Sequence, residues 1–187
     1  MFKKLSTIFL VTNLFSLSVQ AESVPVMFSS LNDFNAPNAT EVKGANLSVL
    51  HGKVDKVTGV NFSLLGLAET NTMTGVNFDL FWGANKVNTK MTGASLGLFN
   101  WMPGETIGAN LGIVNYTGEV QGANIGALNY SEGNTLVDVA FGNISKQSTV
   151  QVGLFNITKQ IDGAQIGLLN CADNGFFKCF PFVNFAK

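Results

Sequence analysis

Between Gly44 and Cys171, small, polar and large apolar residues recur in a fixed order. The clearest unit is Gly122-Ala123-Asn124-Ile125-Gly126-Ala127-Leu128-Asn129-Tyr130, echoed from Gly108 to Tyr116 and from Gly163 to Cys171. Weaker copies start at Gly44, Gly59, Gly75, Gly93, Leu136 and Thr149, giving nine units at steps of 15, 16, 18, 15, 14, 14, 13 and 14 residues. The second position is Ala or Val throughout. The fourth is large and apolar (Leu47, Phe62, Phe78, Leu96, Leu111, Ile125, Val139, Val152, Ile166), and the sixth is apolar again. Between them the third is mostly Asn or Gln and the fifth mostly Gly or Ser. Such period-two alternation predicts a strand with one buried face. The expectation is that the apolar columns point inward and the Asn, Gln, Gly and Ser columns outward.

The alternation breaks at the seventh position, where a second apolar residue (Phe99, Val114, Leu128, Phe155, Leu169) precedes Asn100, Asn115, Asn129, Asn143, Asn156 and Asn170. Asn tolerates left-handed backbone angles and bonds its own backbone, so this column predicts a corner, and stacked amides can bond one another along a ladder. A further apolar position falls two residues before most unit starts, as in Val42, Val57, Met73, Met91, Val120 and Ile161. Each unit reads as a longer strand, an Asn corner, a shorter return segment and a Gly corner.

One such unit cannot bury its own apolar face; stacking units at the strand spacing of about 4.8 Å creates a shared core. The predicted fold is all-β, a parallel β-solenoid of about nine coils of ~14 residues with a cap at each end. The alternative is an antiparallel outer-membrane β-barrel, in which Trp82, Trp101, Tyr116 and Tyr130 would be girdle aromatics. An up-and-down barrel ordinarily alternates short and long loops and would not align the Asn column.

The units resemble a bacterial family of surface-repeat proteins whose repeats read approximately G-[AVI]-[QN]-[IL]-G-L-[LI]-N. The resemblance covers residues 44–171 and is most specific from Gly93 onward; His51, Gly66 and Trp82 replace the corner Asn in the first three units. It implies an exported or surface protein, with no catalytic motif to carry over.

The flanks predict the remaining organisation. Residues 1–21, with Lys3, Lys4, an apolar stretch and Val19-Gln20-Ala21, read as a cleaved signal peptide. Residues 22–43 read as an irregular N-terminal cap, and 172–187 as an aromatic C-terminal cap carrying Phe176, Phe177, Phe180, Phe182 and Phe185. Those phenylalanines are expected to plug the open core, with a membrane or partner contact as the sharper reading. In an exported chain Cys171 and Cys179 predict a local disulfide.

Composition narrows the function. The chain has 187 residues, 46% apolar and 12% charged, with a net charge of −1. All 11 basic residues are lysines, so no guanidinium fork or basic field exists for nucleic acid. With one His and two Cys, no metal site or cofactor is expected. His51 is the single imidazole, and Ser48 or Asp55 could be imagined beside it, but no nucleophile elbow is present and His51 merely occupies the corner column. The acids Asp55, Glu69, Glu105, Glu119, Glu132, Asp162 and Asp173 fall about one to a unit without a shared column. The glycosylation sequons beginning at Asn115, Asn129, Asn143 and Asn156 follow from the repeat itself. Thr58, Thr74 and Thr92 form a column too short for an ice-binding face. The expected protein is a non-enzymatic repeat protein of the bacterial outer membrane, cell surface or periplasm, a binding, adhesion or structural scaffold with an unknown envelope partner. Outer-membrane association is part of that expectation, and a small porin-like barrel is its alternative.

Overall fold

A computed structural model describes residues 21–31 and 34–187. The expected signal peptide lies, up to residue 20, outside the described residues. Strands β1 (Ala21–Ser29), β3 (Ala39–Ser48), β4 (His51–Ser63), β5 (Leu67–Asp79), β6 (Ala84–Val139), β7 (Gly142–Val152) and β8 (Phe155–Ala172) pair with one another in sequence order, all parallel. β6 is an unbroken 56-residue ribbon that winds through several coils. The fold is a parallel β-solenoid of about nine turns, and the barrel alternative is excluded because successive units run in the same direction.

Like residues meet like: Gly44, Gly59, Gly75 and Gly93 are successive partners, as are Asn46, Asn61 and Asn77, and Asn129, Asn143 and Asn156. β1 lays one more partial parallel layer ahead of the first repeat, and β2 (Asn35–Ala36) pairs with it antiparallel. At the other end β9 (Cys179–Phe185) runs antiparallel to β8, with Cys171 and Cys179 opposite each other and disulfide-bonded. An antiparallel last strand ends the parallel stack and occupies an edge that could otherwise recruit another chain.

The orientation of the faces reverses the expectation. Third-position residues Asn46, Asn61, Asn77, Ser95, Asn110, Asn124, Asp138, Gln151 and Gln165 are buried, as is the whole corner column from Asn100 to Asn170. The apolar fourth- and sixth-position side chains form the outer wall; Ile113, Ile125, Phe141, Leu154, Ile166 and Leu168 are all exposed. The physical reason is hydrogen bonding. A buried amide is costly only when unpaired, and in-register stacking pairs every corner amide with its copy in the next coil. Asn100 Nδ2 donates to Asn115 Oδ1 (2.7 Å), Asn115 to Asn129 (2.8 Å), Asn129 to Asn143 (2.9 Å), Asn143 to Asn156 (2.8 Å) and Asn156 to Asn170 (2.7 Å). The row ends on the Phe180 carbonyl of the cap at 3.3 Å.

Space for these amides comes from the fifth position. A Cβ at Gly112 would meet Asn100 Nδ2 at 2.7 Å, and one at Gly167 would meet Asn156 Nδ2 at 2.7 Å. Where the corner Asn is missing, in units with His51, Gly66 and Trp82, the fifth position carries Ser48, Ser63 and Asp79 instead. Corner amide and fifth-position side chain therefore exchange places in the same interior volume.

Apolar interior packing is concentrated toward the N-terminus, where Met27, Val42, Val57, Met73, Val87, Met91 and Met102 cluster. Farther along, the equivalent columns hold buried Thr117, Ser131, Thr135, Ser145, Ser148 and Thr158. Asp138 sits among them and accepts from Asn124 (3.1 Å), Thr135 (2.5 Å) and Ser148 (3.0 Å). Its carboxylate joins two rows of opposite sense: Asn110 donates forward to Asn124, whereas Gln165 donates backward to Gln151. Burial pushes its pKa up, against lowering by the hydrogen bonds from Thr135, Asn124 and Ser148.

Candidate binding surface

Turning the repeat inside out leaves two apolar walls on the exterior. Positions two, four and six make one wall, and positions seven and nine make the other, with the Asn corner between them. In none of the nine units does any of these positions carry a charged or amide side chain. Where the walls meet, each coil pushes apolar groups outward: Leu50, Leu65, Phe81, Phe99, Ile113, Leu128, Phe141, Phe155 and Leu169 are all exposed. Together they form a continuous keel along the rod. Monomeric soluble proteins seldom expose contiguous apolar patches beyond a few hundred Å². Ten layers at about 4.8 Å give this rod a length on the order of 50 Å, and exposed apolar side chains recur along it from Leu50 to Leu169.

Aromatic rings mark the far edge of the second wall. Trp101 packs edge-on against Tyr116 (6.3 Å), which stacks on Tyr130 (5.6 Å), and Phe99, Trp101 and Tyr116 line a cavity of about 370 Å³. Tyr116 Oη donates to Glu132 Oε1 (2.6 Å), the hydrogen bond that raises its pKa, and Lys86 Nζ lies 4.6 Å from the Trp101 ring centre. Tyr116 thus has an apolar body on the wall and a polar contact at its hydroxyl, and Trp101 has a cation over its ring, arrangements aromatic side chains adopt at a boundary between oily and wet surroundings.

Charges gather on the opposite, return-segment side, and several neutralise one another. Lys56 and Lys43 flank Glu41 at 3.0 and 3.5 Å, Lys86 meets Glu69 at 3.5 Å, and Lys90 meets Glu105 at 2.9 Å. The Lys56 hydrogen bond lowers the pKa of Glu41; that from Asn88 lowers the pKa of Glu69. A polar cleft of about 260 Å³ near the N-terminal end includes Asn35, Lys53, Asp55, Glu69 and Asn71. Its carboxylates are engaged, Asp55 by Asn71 (2.6 Å) and Glu69 by Asn88 (2.9 Å).

The remaining sequence candidates do not assemble into chemistry. Ser48 Oγ accepts from Asn46 (3.3 Å), Asp55 bonds Asn71, and His51 Nε2 is buried without a hydrogen-bond partner. The sequon residues Asn115, Asn129, Asn143 and Asn156 are buried in the corner row, out of reach of a glycan. Thr58, Thr74 and Thr92 are in register over three coils only. The phenylalanines of the C-terminal cap do not plug the core: Phe176, Phe177, Phe180, Phe182 and Phe185 are exposed, and Asn184 enters instead, donating to Phe177 O (2.9 Å) and to Gln165 Oε1 (3.5 Å). The inner end of the stack is polar, so an amide terminates it better than a ring. Among the described residues no group of three or more His, Cys, Asp or Glu could hold a metal ion, and no helix is long and apolar enough to cross a membrane.

One half-buried acid lies beneath the keel. Asp79 Oδ1 accepts from Asn85 Nδ2, Oδ2 has no partner, and burial pushes the pKa up to about 8, a backbone hydrogen bond from Asn85 partly opposing. The folded state therefore holds a proton that the unfolded chain, with an ordinary carboxyl near 3.8, releases. Stability should fall as pH rises from about 4 to about 8, by up to about 1.4 kcal/mol per pH unit. Asp79→Asn should remove that slope and be more stable than wild type at pH 8. Urea melts of both proteins across this range check it; Asp138 acts in the same direction, so the difference between the two is the quantity to read.

Compared with protein-family models, with curated proteins and with solved structures, the chain matches none. The functional reading rests on the geometry of the two walls.

Proposed function

We propose that this is an exported envelope protein that works by binding, seating its two apolar walls on the surface of a lipid bilayer and presenting its charged side to the aqueous phase as a scaffold. The observation that carries the reading is the keel: exposed apolar groups in every coil, on both sides of a convex corner, without one charge among them. A rigid flat partner could cover one wall, and a second copy laid on that wall would leave the other bare. A fluid apolar phase covers both. The Cys171–Cys179 disulfide favours an oxidising compartment outside the cytoplasm.

Because Lys43, Lys56, Lys86 and Lys90 are held by Glu41, Glu69 and Glu105 and the two walls carry no charge, the attraction in this reading is apolar rather than electrostatic. The protein lacking residues 1–21 should float with vesicles of purely zwitterionic lipid, equally well at low and high salt. Replacing Ile113, Leu128 and Phe141 together by Glu should weaken that association at least about 100-fold, since each buried side chain of this size contributes roughly 1.5–3 kcal/mol. These side chains are exposed, so the thermal midpoint should hardly change. A wild-type chain that stays in the aqueous fraction, or that pairs through one wall as a stable dimer indifferent to lipid, would refute the proposal.

A further inference from the structure

The keel contains two irregularities with a common character. Among the described residues, the non-glycine residues with positive φ are Phe81 (53°) and Phe182 (67°). Such angles are uncommon for residues with a Cβ and cost backbone energy, most of all for a bulky one. Both are phenylalanines, and both are strongly exposed, 74% and 72%. Trp82, next to Phe81, is 80% exposed.

Their positions follow from local structure. In the third unit Trp82 stands where a corner Asn would point inward, and the chain instead makes a protruding turn closed by Gly83 N donating to Leu80 O (2.9 Å). Phe182 follows Pro181 and pairs with Gly167, beside the irregularity between Gly167 and Asn170 where β9 crosses the same corner. Phe182 thus stands exposed beside that corner, in the cap layer. From the third unit to the cap layer is seven steps, roughly 33 Å at the ~4.8 Å strand spacing.

Holding an aromatic ring out in water on a strained backbone is unfavourable twice over, and an apolar phase offsets both costs at once. Resting on the lipid reading above, we propose that Phe81 with Trp82, and Phe182, are two preformed anchors that enter the bilayer together and hold the rod lengthwise on the membrane. The competing arrangement, with the rod standing on its phenylalanine-rich cap, would immerse Phe182 and leave Trp82 in water.

The test uses the chain lacking residues 1–21 and zwitterionic vesicles with brominated acyl chains. Trp101→Phe leaves Trp82 as one reporter; Trp82→Phe, Trp101→Phe and Phe182→Trp together give the other. Both reporters should shift to the blue and be quenched. Quenching of one alone, or of neither while the protein still floats, overturns the two-anchor arrangement and leaves lipid binding standing. Failure of the wild type to float removes both. Phe81→Gly and Phe182→Gly supply an independent readout: each should keep or raise the thermal midpoint, because glycine accepts positive φ, while vesicle affinity falls about tenfold or more. A loss of stability with unchanged affinity would make these residues structural only.

Discussion

Gly108→Ala is expected to destabilise the protein by on the order of 4 kcal/mol, taking together the strain of a side chain in this backbone region and the overpacking that follows. Gly108 has φ +136°, and an added Cβ would lie 1.8 Å from the Gly93 carbonyl oxygen. That oxygen belongs to the main chain of the coil below and cannot swing away. The same relation recurs along the column, a Cβ at Gly122 meeting Gly108 O at 1.8 Å and one at Gly93 meeting Gly75 O at 2.0 Å. Relief would require the coils to separate, breaking the ladder on both sides. An unfolding free energy from urea melts within about 1 kcal/mol of wild type would show that the coils are less tightly coupled than their spacing implies. Gly142→Ala serves as the control, since its added Cβ meets only Leu128 Cδ2 at 3.1 Å.

Asn129→Leu should cost about 3–5 kcal/mol, although it exchanges a buried polar residue for an apolar one of similar size. Asn129 Nδ2 donates to Asn143 Oδ1, to Asn124 O (2.9 Å) and to Val139 O (3.3 Å), and its Oδ1 accepts from Asn115. Leucine strands a donor on one side and acceptors on the other, each buried, at about 1–3 kcal/mol apiece. The ladder therefore behaves unlike an apolar core, where such a replacement would stabilise. Thermal melts of Asn129→Leu beside Leu128→Ala separate the two cases: Leu128 is exposed, and its truncation should cost well under 1 kcal/mol.

Strand direction, unit boundaries and the disulfide were legible in the chain because they follow from periodicity and from which residues repeat. The direction in which each face points was not. Alternation at Asn124-Ile125-Gly126-Ala127 states only that one side differs from the other, and placing the apolar side inward assumes that water is the outer solvent. In this rod, amides satisfied by their own copies occupy the inner side of the strand and the corner, beside the Met and Val cluster of the N-terminal coils. Two signals in the sequence pointed that way: an Asn column too regular for a solvated turn, and the exchange of Gly for Ser48, Ser63 and Asp79 wherever the corner Asn is missing. The keel was hidden for the same reason, since Phe141 belongs to a column that alternation places in the core and Leu128 marks only the break before a corner. Asn184 as terminator was hidden among five phenylalanines, and only the polar end it closes explains it.

Because every layer offers the next the same contacts, a whole period such as residues 108–121 is interchangeable with its neighbours, whereas a fraction of one would misalign everything beyond it. Length in this molecule is therefore counted in integers. Duplicating or losing one turn would lengthen or shorten the rod by a single strand spacing, roughly 4.8 Å, leaving both termini intact, so that lineages carrying such a chain could adjust its reach like the rungs of a ruler.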